Sequence, residues 1–476
     1  MIGAVGTFAA LAVAAAAVWW VVPGLRGSKD EGPERPPGAV GSEDPTDSGS
    51  ERARDPDAGT TAALFTRAFG GGRNDWFNAA AVTLDGDYVA AGQTYSDDGD
   101  FPPRHGDVDA LLARFDAGGD QLWAKTLGGS SADAFNTLMA TADGGFIAAG
   151  YTYSDDGDFP RSRGEEDAVV ARFDATGEME WAKTLGGEGP DMFNALAETE
   201  DGGFIAVGET HSFSGDFPPS KNAGDALLAR FDPTGELLWA KTLGGNDFDS
   251  LSAVAMTADG GYMTAGATLS VDGDFPVTED VGYALLARFD ATGEMLWAET
   301  LGGSDVDTLS GLVVTADGGC VAVGMTSSVD GDFPAAEGGT DALVAGFDAA
   351  GERLWAKTLG GTGPDGFASL AAIADGGYIV VGQTASQDGD FAASRGGGDA
   401  VLAKLTEAGE MLWSKTLGGT SVDGFSAVAV TADGGYLAAG LTNSDDGDFP
   451  RTGGEVGFEA TATDAVLARF GPDGEL

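Results

Sequence analysis

Residues 193–245 read FNALAETEDGGFIAVGETHSFSGDFPPSKNAGDALLARFDPTGELLWAKTLGG. Four short runs rich in apolar residues, 193–198, 204–210, 225–231 and 238–243, are separated by clusters of Gly, Asp and Pro, the pattern of strands divided by turns. The Asp-Gly-Gly at 201–203 and the Asp-Pro-Thr-Gly at 232–235 are hairpin turns whose glycines supply positive φ. The unit is therefore four antiparallel strands. Trp239, in its last strand, belongs to a series: Trp123, Trp181, Trp239, Trp297, Trp355 and Trp413 recur every 58 residues, and one further step back lands on Phe65. A radially repeated four-stranded unit of this length is a β-propeller blade, whereas solenoid coils are shorter and helical repeats do not carry Gly-Gly turns.

Counting turns gives the number of blades. Asp-Gly-Gly begins at Asp143, Asp201, Asp259, Asp317, Asp375 and Asp433, and the variant Asp85-Gly86-Asp87 makes a seventh. The third strand begins at Asp109, Asp167, Asp225, Tyr283, Asp341, Asp399 and Asp464, again seven. The chain stops shortly after Phe470, where another Trp strand is due, and the missing strand is found at 64–69. An all-β, seven-bladed propeller closed by an amino-terminal strand that completes the last blade is the expected fold, with no sheet edge left open at the closure. Small side chains at 79–81, 252–255 and 427–429 suit the crowded innermost strand, and the Trp strand is then outermost.

The elements G-x-T-x-S, Gly-Asp-Phe-Pro, G-D-A, D-x-x-G and L-G-G keep their order and spacing across 64–476, and in this the chain resembles the bacterial seven-bladed β-propeller repeat (SBBP) family. It departs from that pattern in having Trp-Ala-Lys-Thr for Tyr-Ser-Thr-Tyr and Asp-Gly-Asp-Phe for the shorter Asp-Phe. The resemblance implies a secreted or surface-exposed propeller and carries over no catalytic residues.

Composition agrees. Of 476 residues 78 are glycine, about 16% against a usual ~7%, without the triplet period of collagen. The net charge of −51 repels phosphate backbones and anionic headgroups, so nucleic acid is excluded as a partner; the same surface keeps a protein soluble, as in a saline habitat, and favours cations. One cysteine, Cys320, excludes a disulfide framework and multi-cysteine metal sites, and His105 and His211 fall at nonequivalent loop positions.

Residues 1–26 hold an uncharged run from Ile2 to Val22 ending near Trp19 and Trp20, long enough to span a bilayer, and read as an uncleaved transmembrane anchor in preference to a signal segment. No basic residue precedes the run and no small-residue cleavage site follows it. Residues 27–62, rich in Pro, Gly, Ser, Asp and Glu, read as a disordered linker with a reach on the order of 30 Å. The propeller, 63–476, is expected to be monomeric and extracytoplasmic.

Two sets of aspartates fall on the face that carries the second-to-third-strand loops and the connections between blades. Asp75, Asp133, Asp191, Asp249, Asp307, Asp365 and Asp423 precede the innermost strands and are expected to ring the channel mouth. Asp98 and Asp100, Asp156 and Asp158, Asp272 and Asp274, Asp330 and Asp332, Asp388 and Asp390, and Asp446 and Asp448 flank a glycine in each loop, a spacing that suits calcium, which takes six to eight oxygens from a sharply turning backbone. The competing structural role is that such side chains accept from nearby backbone N–H groups. Symmetry breaks are where individual function belongs: an insertion around 455–463 that enlarges one loop, and Tyr283, Glu299, Gly346 and Cys320 in place of the repeat residues. The expected function is a non-catalytic binding or scaffold module for a protein, glycan or cation; the rival is a calcium-dependent or aspartate-based hydrolase or lyase at the channel mouth.

Overall fold

The computed structural model describes residues 63–221, 224–275, 282–391, 394–449 and 462–476. Seven four-stranded antiparallel sheets form the blades. Blade 1 runs through Asp75–Val82, Tyr88–Thr94, Asp109–Phe115 and Gln121–Leu127 from inside to outside, and blades 2 to 6 repeat it. Blade 7 contains Asp423–Val430, Tyr436–Thr442 and Asp464–Phe470, and its outer strand is Phe65–Phe69, paired antiparallel from Phe65↔Arg469 to Phe69↔Ala465. The amino-terminal strand thus closes the ring as its spacing requires.

Each sheet is sandwiched between two others, so its middle strands are buried on both faces. Asp225–Phe231 is buried throughout, while the outer Leu237–Leu243 is only half-buried. The core consists of wedges between blades. The one at the closure joins Phe69, Phe77, Phe101 and Phe115 to Leu437, Ala439 and Leu467, with the Phe69 and Phe115 rings 4.8 Å apart.

Two details differ from the sequence expectation. Inner strands start two residues earlier than the apolar run, at Asp191 in blade 3, because Asp191 already pairs with Thr210; the outer strand likewise begins at Leu237. Every inner strand also carries a β-bulge, such as the register shift between Phe193 and Ala195. The bulged side chains Asn78, Asn136 and Asn194 each donate to a backbone oxygen of the following blade, Phe135, Phe193 and Leu251, at 2.9, 3.1 and 3.1 Å. They line a central channel of about 210 Å³ with Ala, Ser, Thr, Leu and Val.

The outer-strand aromatics lock neighbouring blades. Gly177 sits at φ 80°, and a Cβ there would come within 2.6 Å of the Trp123 ring of the preceding blade. Phe65 does the same for blade 7, its ring lying 2.6 Å from the Cβ position of Gly119. Glycine is required twice over at these turns, by the positive φ and by the aromatic ring.

Candidate functional site

The inner-strand aspartates begin their strands as the spacing requires, but Asp75, Asp133, Asp191, Asp249, Asp307, Asp365 and Asp423 are fully buried rather than open at the channel mouth. The Thr-x-Ser that begins at the last residue of the second strand explains this. Asp75 accepts from the hydroxyls of Thr94 and Ser96, the latter at 2.7 Å, and from the backbone N–H of Gly71 at 3.0 Å. Asp249 is held in the same way by Thr268, Ser270 and Gly245. Burial pushes the Asp75 and Asp249 carboxyls up to about 6, against the lowering effect of these donors.

The glycine-flanking aspartates are similarly engaged. Asp98 accepts from the N–H of Gly72 at 2.7 Å, Asp156 from Ser130 at 2.7 Å, Asp272 from Asn246 at 2.9 Å and Asp330 from Ser304 at 2.9 Å. Asp388 accepts from Thr362 and Asp446 from Thr420, both at 2.8 Å. Their partners two residues on, Asp100, Asp158, Asp274, Asp332, Asp390 and Asp448, each accept at 3.0–3.1 Å from the first glycine after an outer strand. These carboxylates staple each loop to the incoming interblade connection. Among the described residues no group of three or more His, Cys, Asp or Glu is arranged to hold a metal ion.

The loop face does hold one place where chemistry departs from the repeat, over blades 1 to 3. Tyr153 donates to Glu166 Oε2 at 2.6 Å, and the Tyr151 and Tyr153 rings meet edge to face at 5.9 Å. Tyr151 Oη lies 3.5 Å from Gln93 Oε1. His211 Nε2 lies 3.4 Å from Glu209 Oε1, whose other carboxylate oxygen is buried with no protein partner. Burial pushes the Glu166 carboxyl up to about 7, helped by the nearby charge of Glu209, and the Glu209 contact raises the imidazole of His211. On blade 1 the Trp76 and Tyr95 rings lie 5.5 Å apart, tilted by 35°. Tyr153 is 42% exposed, and Phe213, two residues beyond His211 in the chain, is 61% exposed.

Sequence reasoning missed this cluster, apart from noting His211 as an isolated loop residue. The signal was present: aligned at the 58-residue period, the position of Glu209 reads Gln93, Tyr151, Glu209, Ala267, Met325, Gln383 and Leu441, polar or aromatic over blades 1 to 3 and mixed elsewhere. His105 serves a different end, its Nδ1 lying 2.8 Å from Asp109. Of the inserted stretch, 455–461 lies outside the described residues, as does the amino-terminal segment 1–62. No helix among the described residues is long and apolar enough to cross a membrane.

No family model matches the chain. A regulatory protein of Caulobacter vibrioides, FlaEY, is 26% identical over 183 residues, 34% of this chain, and the match spans only 18% of that protein. Similar solved structures include the BBS1N chain of a complex with ARL6DN, at 10% identity and TM-score 0.44 over 83% of this chain and 93% of that one. Sqt1 from Chaetomium thermophilum follows at 12% and 0.43, over 86% and 99%, and the Neurospora crassa Pan2 WD40 domain at 12% and 0.42, over 87% and 92%.

Proposed function

We propose that the protein is a membrane-tethered, extracytoplasmic binding module of the SBBP type whose propeller takes a hydroxyl-rich ligand, a glycan, on the loop face over blades 1 to 3. The supporting observation is the cluster of Tyr151, Tyr153, Gln93, Glu166 and Glu209. It sets the exposed ring of Tyr153 over a buried polar layer of Glu166, Glu209 and Gln93, an aromatic platform of the kind on which a sugar ring stacks, with the Tyr153 hydroxyl fixed by Glu166. The repeated aspartates act as staples that keep this face rigid. Such rigidity favours a preformed binding surface.

A second reading is hydrolysis by the Glu166 and Glu209 pair, because burial pushes the Glu166 carboxyl up to about 7 beside a second carboxylate. Glu166 and Glu209 are only 5% and 3% exposed, which leaves little access for a scissile bond.

The test is retention of the full chain on immobilised envelope polysaccharides. Tyr153→Ala should weaken retention at least tenfold with an unchanged melting temperature. Absence of retention across the panel, or indifference to Tyr153, overturns the reading, and turnover abolished by Glu166→Gln favours the hydrolase. Protease added to intact cells should cleave the propeller; cleavage only after permeabilisation would overturn its extracytoplasmic placement.

A further inference from the structure

On the opposite face, which carries the Asp-Gly-Gly and D-x-x-G turns, six of seven blades share one device. A basic side chain from the third strand crosses to the Asp of its own blade's Asp-Gly-Gly or Asp-Gly-Asp turn: Arg114 to Asp85 at 2.6 Å, Arg288 to Asp259 at 2.7 Å, Lys404 to Asp375 at 2.9 Å, and likewise Arg172 to Asp143, Arg230 to Asp201 and Arg469 to Asp433. These basic side chains are only 1–16% exposed, so their stems fill the space between blades. They also reach the next blade. Arg469 donates to the hydroxyl of Tyr88 at 3.2 Å, and Arg288 to the backbone oxygen of Ala349 at 3.0 Å.

Blade 5 has Gly346 at this position. Its acceptors remain: Asp317 corresponds to the paired aspartates, and Tyr378 of blade 6 corresponds to Tyr88. Where the guanidinium stem would lie there is a cavity of about 490 Å³, lined by Asp317, Tyr378, Glu407 and Trp355 among others. Three more departures converge on it. Cys320 replaces the Phe or Tyr of the other blades, Ile373 replaces Thr, and Glu407 stands where the other turns have Ala or Pro. The junction has thus lost a cation and gained a carboxylate. Burial, then the charges of Glu407 and Asp317, push the Tyr378 hydroxyl up, as expected if the three face one space. A Cβ on Gly346 would collide with the Trp355 indole, so that ring leans over the vacated position and walls it with an aromatic face.

We propose that this cavity between blades 5 and 6 is a binding site for an alkylguanidinium group supplied from outside the chain, with Asp317 and Glu407 as its counter-charges, Tyr378 as a hydrogen-bond acceptor and Trp355 as its stacking face. The six intact junctions are the template for what fits. The guanidinium could belong to a small amine or to an arginine side chain of a polypeptide, and the site is independent of the loop-face cluster.

The test is calorimetric titration of the full chain with agmatine and, separately, with the peptide acetyl-Gly-Arg-Gly-amide. Saturable binding at one site per chain is expected with at least one probe, and tighter binding of one identifies the source. Asp317→Asn and Gly346→Arg should each weaken it at least tenfold, and Asp259→Asn, which removes an aspartate already paired with Arg288, should leave it unchanged. Because Gly346→Arg requires Trp355 to move, Glu407→Gln serves as the independent variant, with an expected loss of three- to tenfold. No saturable binding of either probe, or binding unaffected by Asp317→Asn and Glu407→Gln, overturns the proposal.

Discussion

Raising the pH from 4 to 7 should destabilise this protein, and Asp249 shows how much and why. Its carboxyl is fully buried and shifted from 3.8 to about 6 by desolvation, which outweighs the donors Thr268, Ser270 and Gly245. The native state therefore holds this proton more tightly than the unfolded chain does. The resulting stabilisation is fully present below pH 3.8 and is lost as pH rises through about 6. A shift of about two units corresponds to roughly 3 kcal/mol for one such group as an upper bound. Asp75 and Asp341 are shifted to about 6 as well, so several groups act in the same window. Turn aspartates such as Asp143 and Asp201 are shifted down, mainly by the hydroxyls of Thr141 and Thr199, and their contribution is lost only as pH falls below 3.8. The assay is denaturant unfolding of wild type and Asp249→Asn across pH 4 to 8 at fixed ionic strength. Asn is a near-isosteric side chain that does not titrate, so the stability advantage of wild type over Asp249→Asn should shrink by about 1–3 kcal/mol between pH 4 and 7. An advantage that stays constant or grows with pH would refute the reasoning.

Two other substitutions test the closure and the interblade lock. Phe69→Ala removes a ring that is 6% exposed in the wedge between blades 7 and 1, and should cost roughly 3–5 kcal/mol and accelerate amide exchange in 464–470; Leu412→Ala, 58% exposed on an outer strand, should cost about 0.5 kcal/mol or less by the same unfolding curves. Gly177→Ala places a Cβ at φ 80° against the Trp123 ring and should destabilise by roughly 2 kcal/mol or more, whereas alanine in place of Gly118, where φ is not positive, should cost less.

The architecture was legible because the determinants of a blade are local and repeated. Turn glycines, a 58-residue aromatic period and an incomplete last unit specify seven sheets and the strand that closes them. Burial of the aspartates was harder to read, since it depends on partners elsewhere in the fold: Asp191 is sequestered by Thr210 and Ser212, donors that lie beyond a hairpin. The aspartates whose spacing suggested calcium accept from N–H groups of the interblade connections, contacts between residues about 26 to 30 apart, as with Asp98 and Gly72. The cluster around Glu166 was hidden for a related reason. Tyr153, Glu166, Glu209 and His211 come from two blades, and none carries a motif by itself. Gly346 and Cys320 were visible as departures from the repeat, but that they meet Glu407 at one cavity follows only from the packing of blade 5 on blade 6.

The central claim is that Phe65–Phe69 is the outer strand of blade 7. Thr66 faces Ala468 in that ladder, and the native thiol of Cys320 is buried, so the pair Thr66→Cys and Ala468→Cys can be oxidised in the full chain and mapped by mass spectrometry. A 66–468 disulfide formed within one chain is expected. Reduced thiols at both positions under conditions where the propeller is folded, or a disulfide only between chains, would contradict the closed ring.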